Sequence, residues 1–314
     1  MIEAQKINKY YGPFHALKDV TFRVRKGEIV GFLGPNGAGK TTTMRILTGF
    51  MPASNGVVRI AGYDVQSQSL QVRKKIGYLP ESVPLYRDMT VRSFLRFYGT
   101  IRGMRGRARE KRIEEVIDIC RLRDYARSHI SKLSKGYRQL VGVAQAILHE
   151  PEVIILDEPT IGIDPRQVVF IRNIIKDLGQ DHTIILSTHI LPEVSMICQR
   201  VMIMNKGKIV AVDKPKNLSA RLEGGQRYDI EIAGPHEAVI SRLKKIKGVQ
   251  EVTASGAGET RVYQVYLESG RDRRDEISST IIESGFRLLG LQIHEMSLED
   301  IFLRLTTKEE ASIQ

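Results

Sequence analysis

The chain has 314 residues, 42% of them hydrophobic and 27% charged, with a formal net charge of +12. That length suits two domains, and the balance is that of a globular protein rather than a disordered or fibrous one. No apolar run approaches the roughly 18 residues that cross a bilayer, and "MIEAQKINKYYG" lacks a signal peptide's apolar core, so the chain is expected in the cytosol.

In chain order, "VTFRV" and "EIVGFLG" predict strands, and "KTTTMRILTGF" predicts a helix behind a glycine loop. "NGVVRIAG" supplies a turn and a short β run. From Val91 to about Ala126 the pattern is helical, "VRSFLRFYGTIRG" then "RIEEVIDICRLRDYA", with no β run between. Inside that stretch "RGMRGRAREKR" (102–112) carries six basic side chains and one acid. Such a run suits a solvated helix face, or contact with nucleic acid, anionic lipid or an acidic protein. "LSKGYRQL" (133–140) reads as a serine N-cap, Ser134, before the apolar-periodic "VGVAQAIL". "VIILDE" and "TIILSTH" then flank the helical "RQVVFIRNIIKDLG". Short apolar strands alternating with helices predict a parallel sheet buried on both faces.

Residues 1–217 thus form one α/β unit with a helical subdomain over about 84–150, and 218–227 reads as a linker. Over 228–314 the order becomes β, α, β, β, α, β: "RYDIEIAG", "HEAVISRLKKIK", "GVQEVTAS", "RVYQVYLES", "RRDEISSTIIESG" and "RLLGLQIHEM". That is the ferredoxin-like order, with a last helix "SLEDIFLRLTT" packed on it. Cys120 and Cys198 have no paired spacing and read as reduced, buried residues.

"GPNGAGKT", Gly34 to Thr41, follows a strand and opens a helix. Gly37 and Gly39 let backbone N–H groups turn inward around phosphates, and Lys40 brings a cation to the outer ones. The Thr41 hydroxyl can ligate Mg²⁺, and the helix N-terminus adds its positive end. This predicts a nucleoside triphosphate site. Asp157 and Glu158 end a strand at the sheet edge where such folds bind ligands. Asp157 is then expected to hold the Mg²⁺ through its water shell, and Glu158, pointing outward, to polarise a water attacking the γ-phosphate. His189 ends the next strand and is expected to sense that phosphate, whereas His15, His149 and His182 read as structural.

Together these residues resemble the ATP-binding subunit of an ABC transporter, over about residues 1–217. "GPNGAGKTT" is similar to the Walker A loop, which implies nucleotide contacts from Gly34, Pro35, Asn36, Gly37, Ala38, Gly39, Lys40, Thr41 and Thr42. "VIILDEP" resembles the Walker B strand, "IGID" with Asp164 the D-loop, and His189 the switch histidine. Tyr11 in "KYYG" matches the aromatic residue that stacks on adenine, and "LSKGYRQ" the family signature, usually LSGGQ. The resemblance implies a P-loop ATPase using ATP and Mg²⁺. It also implies a homodimer in which Ser134 and Gly136 of one copy grip the γ-phosphate held by Lys40 of the other. A separate membrane permease would be the partner, placing the chain on the cytoplasmic face of the membrane. Two departures stand out. Glu81 in "IGYLPES" takes the place of the Q-loop glutamine, keeping an oxygen for the metal but adding a charge, and Tyr137 takes that of the signature glutamine. Leu140 stands where arginine is common, and nothing physical explains it. "IGYLPE", "LSKGYRQ" and "SLEDIF" resemble the branch with gliding-motility and drug-export ATPases. Two alternatives remain at this point: an ABC-type ATPase acting on nucleic acid or ribosomes, and a nucleotide-dependent scaffold without turnover.

Overall fold

The chain opens with an antiparallel hairpin, β1 (Ile2–Tyr11) and β2 (Phe14–Val24), which the sequence pattern reveals only in part. Its apolar alternation is interrupted because the β1–β2 register shifts between Ala4 and Ile7, Ile7 and Lys9, and Lys9 and Tyr10. The run "IVGFL" forms β3 (Ile29–Leu33), with all five residues buried. It leads through the glycine loop into α1 (Lys40–Leu47). Next come β4 (Asn55–Ile60), β5 (Tyr63–Asp64), α2 (Ser69–Lys75) and β6 (Ile76–Leu79). β1, β2, β4 and β5 make one antiparallel sheet, in the order β2-β1-β4-β5. Phe22 of this sheet meets Phe32 of β3 edge-on at 5.1 Å, inside a core shared with Val30, Ile155, Ile185 and Met202.

The helical segment comprises α3 (Val91–Ile101), α4 (Gly106–Ile119) and α5 (Lys135–Ile147). α4 buries Ile113, Val116 and Ile117 and lays its charges along its neighbours. Arg96 of α3 pairs with Glu110 at 2.7 Å, and Arg92 pairs with Glu114. Arg112 donates to the Ile147 and Leu148 carbonyls at 3.0 and 3.2 Å, and Arg102 to the Tyr98 hydroxyl. Much of the 102–112 basic run therefore ties this segment together. Each exposed pair contributes roughly 0–1 kcal/mol, so register rather than stability is the main result.

The remaining strands are β7 (Val153–Asp157), β8 (Thr183–Thr188), β9 (Arg200–Asn205) and β10 (Lys208–Asp213), with α6 (Pro165–Leu178) and α7 (Leu191–Ile197) between them. The sheet order is β10-β9-β3-β8-β7-β6, parallel throughout except for β10 at one edge. Every residue of β7 and β8 is buried, as the expected two-sided covering requires. Because β3, β7 and β8 are parallel neighbours, their C-terminal ends deliver Gly34, Asp157 and Thr188 to one edge.

The structure is a computed structural model that describes residues 1–215, 225–256, 258–268 and 272–294, and it divides into the units Met1–Lys214 and Pro215–Gln314. In the second unit lie β11 (Gly225–Ala233), α8 (His236–Lys244), β12 (Val249–Ser255), β13 (Thr260–Glu268), α9 (Arg274–Glu283) and β14 (Arg287–His294). Their antiparallel order β12-β13-β11-β14 is the ferredoxin-like arrangement. Tyr228, Ile230, Tyr263 and Val265 pack against Val239, Leu243, Ile277 and Ile281 of the two helices. β11 begins inside the stretch expected as a linker, most of which lies outside the described residues, as does "SLEDIFLRLTT".

Candidate functional site

The loop between β3 and α1 closes on itself around a lysine. Gly37 and Gly39 take left-handed backbone (φ 80° and 105°), conformations that let successive N–H groups line one concave side. The Lys40 ammonium donates to the carbonyls of Gly34 (2.7 Å) and Pro35 (3.2 Å) and lies 3.4 Å from a Glu158 carboxylate oxygen. The loop forms one wall of a cleft of about 400 Å³, to which Asn36, Gly37, Gly39, Lys40, Thr41 and Thr42 contribute. Tyr11 stands at its mouth, and Glu81 and Glu158 line it as well. Gly34 and Ala38 are buried behind the loop. A Cβ on Gly34 would strike the Met204 carbonyl, so that position accepts nothing larger.

Behind this wall sits Asp157, fully buried at the end of β7. One of its oxygens, Oδ1, accepts from the Ser187 hydroxyl at 2.5 Å and from the Thr41 hydroxyl at 3.3 Å. The other, Oδ2, is buried without a hydrogen-bond partner. Burial pushes the Asp157 carboxyl above its ordinary range, against the Ser187 and Thr41 bonds, and the charges of Glu158 and Glu81 add to the push. A cation would relieve both the orphaned oxygen and that repulsion, so the donor set fits Mg²⁺. Among the described residues no cluster of three or more His, Cys, Asp or Glu side chains could cage a metal. Mg²⁺ characteristically takes only one or two protein ligands beside water and phosphate oxygens.

Glu158 differs from expectation. Its side chain is only 6% exposed, turned inward between the Lys40 ammonium and His189, whose Nδ1 lies 2.9 Å from Oε2. A buried carboxylate needs a paired charge and hydrogen bonds; Lys40 supplies the charge, and the His189 ring lies within hydrogen-bond distance. Its backbone is left-handed (φ 50°), which costs a residue other than glycine roughly 1–2 kcal/mol. Two hydrogen bonds from its N–H, to the Ser187 hydroxyl (3.0 Å) and carbonyl (3.2 Å), hold it there. Ser187 therefore positions both acids, a role visible in "STH" only once β7 and β8 are known to be adjacent. His189 is 40% exposed and forms the solvent-facing end of the Lys40–Glu158–His189 chain.

At the cleft mouth, Lys9 lies 5.5 Å from the centre of the Tyr11 ring, and the Tyr11 hydroxyl donates to Met51 sulfur. Phe14, which the sequence reading missed, also lines the cleft, with Ala16 and Ile161. It is the register partner of Tyr11 where the hairpin closes, so "YYGPF" was the available signal. His15, His149 and His182 serve structure: His15 bonds Asn8, His182 the Pro151 carbonyl, and His149 the Ile76 carbonyl. Cys120 and Cys198 are free and buried, and burial pushes the Cys120 thiol up to about 12.

Ser134, Gly136 and Asp164 do not line this cleft. Ser134 caps α5, accepting from the Tyr137 N–H at 3.3 Å, and Asp164 caps α6, accepting from the Gln167 N–H at 3.0 Å. Gly136, expected to face phosphate, is buried with the Gln167 carboxamide lying against it. One chain thus holds a charged cleft and, apart from it, a helix start with a hydroxyl and unpaired N–H groups.

The profile of the family described as "ABC transporter" matches residues 17–161. The linearmycin resistance ATP-binding protein of Bacillus subtilis is 32% identical over 313 residues, 98% of each chain. The bacitracin transport ATP-binding protein of Bacillus licheniformis is 30% identical, across 97% of each. Among solved structures, an ATP-binding subunit of an ABC transporter is 30% identical with a TM-score of 0.65, covering 70% of this chain and 92% of its own. A dimeric bacterial ABC transporter cassette aligns at 25% identity and a TM-score of 0.64, over 68% of this chain and 98% of its own. Phosphate loop, buried acid pair and these likenesses along the full chain agree: the protein belongs to the ABC transporter family, as one of its ATP-binding subunits.

Proposed function

We propose that two copies of this chain close over two MgATP molecules, hydrolyse them, and so drive export through a separate membrane permease on whose cytoplasmic face they sit. The observation that carries this reading is the division of phosphate-binding groups within one chain. The charged cleft is lined by Lys40, Thr41, Glu81 and Glu158, and Ser134, which caps α5, is not among its lining residues. A twofold arrangement brings each to the other's counterpart. The likeness to a dimeric cassette supports that geometry, and the names of the two Bacillus relatives support transport of an antibacterial compound. No helix among the described residues is long and apolar enough to cross a membrane.

In this reading the Tyr11 ring stacks on the adenine, and Lys40 leaves the Gly34 and Pro35 carbonyls for the β- and γ-phosphates. The Thr41 hydroxyl, the Asp157 carboxylate and Glu81 would hold Mg²⁺. When bound, that ion neutralises charge on the transferred phosphoryl group. Withdrawal of Lys40 leaves the Glu158 carboxylate free to take a proton from the attacking water, while His189 orients it and reports the γ-phosphate. Release of phosphate removes what Ser134 and His189 hold in common, and the dimer opens. The commitment of Arg102, Arg109, Lys111 and Arg112 to contacts inside the chain weakens the basic run's case for nucleic acid. Glu158→Gln tests the reading. Hydrolysis should fall ~10²–10⁴-fold while ATP still binds and a dimer accumulates; turnover at the parent rate would exclude Glu158 as the base.

A further inference from the structure

The turns that begin α5 and α6 each present a glycine to a polar side chain of the other. Gly136 is buried, and a methyl group on it would collide with the Gln167 carboxamide. Gly162, in left-handed backbone at φ 65°, lies under the Lys135 ammonium in the same way. The contacts run in opposite directions. α5 gives one glycine and one flexible side chain, and the segment from Gly162 to Gln167 gives the other pair.

Further contacts follow the same seam. The Tyr137 phenol is held above its ordinary range, first by its bond to the Tyr125 hydroxyl, with Asp124 and Asp164 adding negative charge nearby. Arg121 lies over the Phe170 ring of α6, 4.6 Å from its centre. Deeper in, Arg172 of α6 pairs at 3.4 Å with Glu193, a buried residue that also accepts from the Thr188 hydroxyl at 2.9 Å. Thr188 immediately precedes His189. α6 thus meets the Ser134 turn at its start through Gln167 and, further along, reaches Glu193 and Thr188, next to His189, through Arg172.

We infer that Lys135 and Gln167 are positioning residues that interlock the signature turn with the segment from Gly162 to Gln167 of the same chain. Engagement of Ser134 by a partner's nucleotide then also sets this chain's own Glu158 and His189. The inference rests on the proposed sandwich. Two opposed side-chain-over-glycine contacts resist sliding in both directions, and loss of either one frees the pair. Neither Lys135 nor the Gln167 carboxamide has a hydrogen-bond or ion-pair partner among the described residues, so truncation orphans no buried group.

The test uses the full chain carrying Glu158→Gln, with ATP-dependent dimerisation followed by sedimentation. Lys135→Ala and Gln167→Ala should each weaken the dimer about tenfold, and fluorescent-ATP binding to dilute monomer should hold steady. The double variant should be no more than about twofold weaker than the worse single, because coupled sites are not additive. Lys135→Arg should restore the dimer, and with Glu158 intact the alanine variants should lower kcat and the Hill coefficient while KM stays constant. Parent-like dimerisation, or fully additive losses, would overturn the interlock alone. If Glu158→Gln itself forms no dimer with ATP, the sandwich falls and the interlock with it.

Discussion

At the start of α1 the protein buries Lys40 against Glu158, and Glu158 against His189; at the start of α5 it presents only the Ser134 hydroxyl and backbone N–H groups. The two helix starts therefore differ in strength. A helix N-terminus alone contributes about 0.3–1 kcal/mol toward an anion at an exposed site. A loop of inward N–H groups with a lysine and a cation contributes several charge-assisted bonds. The difference implies an order of events in the proposed cycle. Nucleotide binds first at α1, exchanging the internal Lys40–Glu158 ion pair for phosphate contacts, and α5 of the second copy adds its weaker grip only afterwards. Selectivity for the assembled state follows from that weakness, because the signature turn cannot retain ATP by itself.

The sharpest way to break the comparison is at Asp157. Asp157→Asn should lower hydrolysis by more than ~10²-fold, since the cation would lose its anchor. The same change should raise the unfolding free energy by about 1 kcal/mol. The sign follows from burial: folding disfavours the charged form of Asp157, so removing the charge favours the folded state. Thermal melting and steady-state phosphate release measure the two opposed effects.

Next comes the opposite half-site. Ser134→Arg should reduce hydrolysis by roughly 10²-fold, as loss of one preorganised donor does elsewhere, yet leave ATP binding to the monomer intact. A parallel loss of monomer binding would mean that the two half-sites are not separate.

A control away from both sites uses acid. His149 donates one ring nitrogen to the Ile76 carbonyl while the other is buried without a partner, and burial lowers its pKa from 6.5 to about 4. Because the folded state holds this ring neutral, the unfolded chain takes up the proton first as pH falls. Stability should therefore drop by about 2 kcal/mol between pH 7.5 and 5, and His149→Gln should remove that dependence in urea titrations. The smallest effect belongs to the cleft mouth: Tyr11→Ala should weaken ATP binding by about 1–2 kcal/mol, read by equilibrium titration, with kcat nearly unchanged.

The phosphate loop was legible in the sequence because its chemistry is local. Gly34 to Thr41 are consecutive, and each residue type answers to one demand of a phosphate. The parallel sheet was legible for a similar reason, since "VIILD" and "TIILST" can only be strands buried on both faces. The β1–β2 hairpin was harder to see, because three register shifts in ten residues erase its alternation. The orientation of Glu158 was misread for another reason. An acid at a strand end is ordinarily solvated, and its inward turn depends on Lys40 and Ser187, which only the folded sheet brings close. Gln167 carried no signal at all. It sits in an amphipathic helix, and its relation to Gly136 exists only where α5 and α6 meet.

The central claim is that each complete site takes Lys40 from one copy and Ser134 from another. Mixing two inactive variants, Lys40→Ala and Ser134→Arg, tests it most directly. Random exchange makes half the dimers mixed, and each mixed dimer holds one intact site. The mixture should then hydrolyse ATP faster than either variant alone, up to a ceiling of roughly a quarter of the parent rate, because the copy that supplies Lys40 and Glu158 has its own Ser134 replaced and unengaged. A mixture no more active than the two variants measured separately would contradict the account.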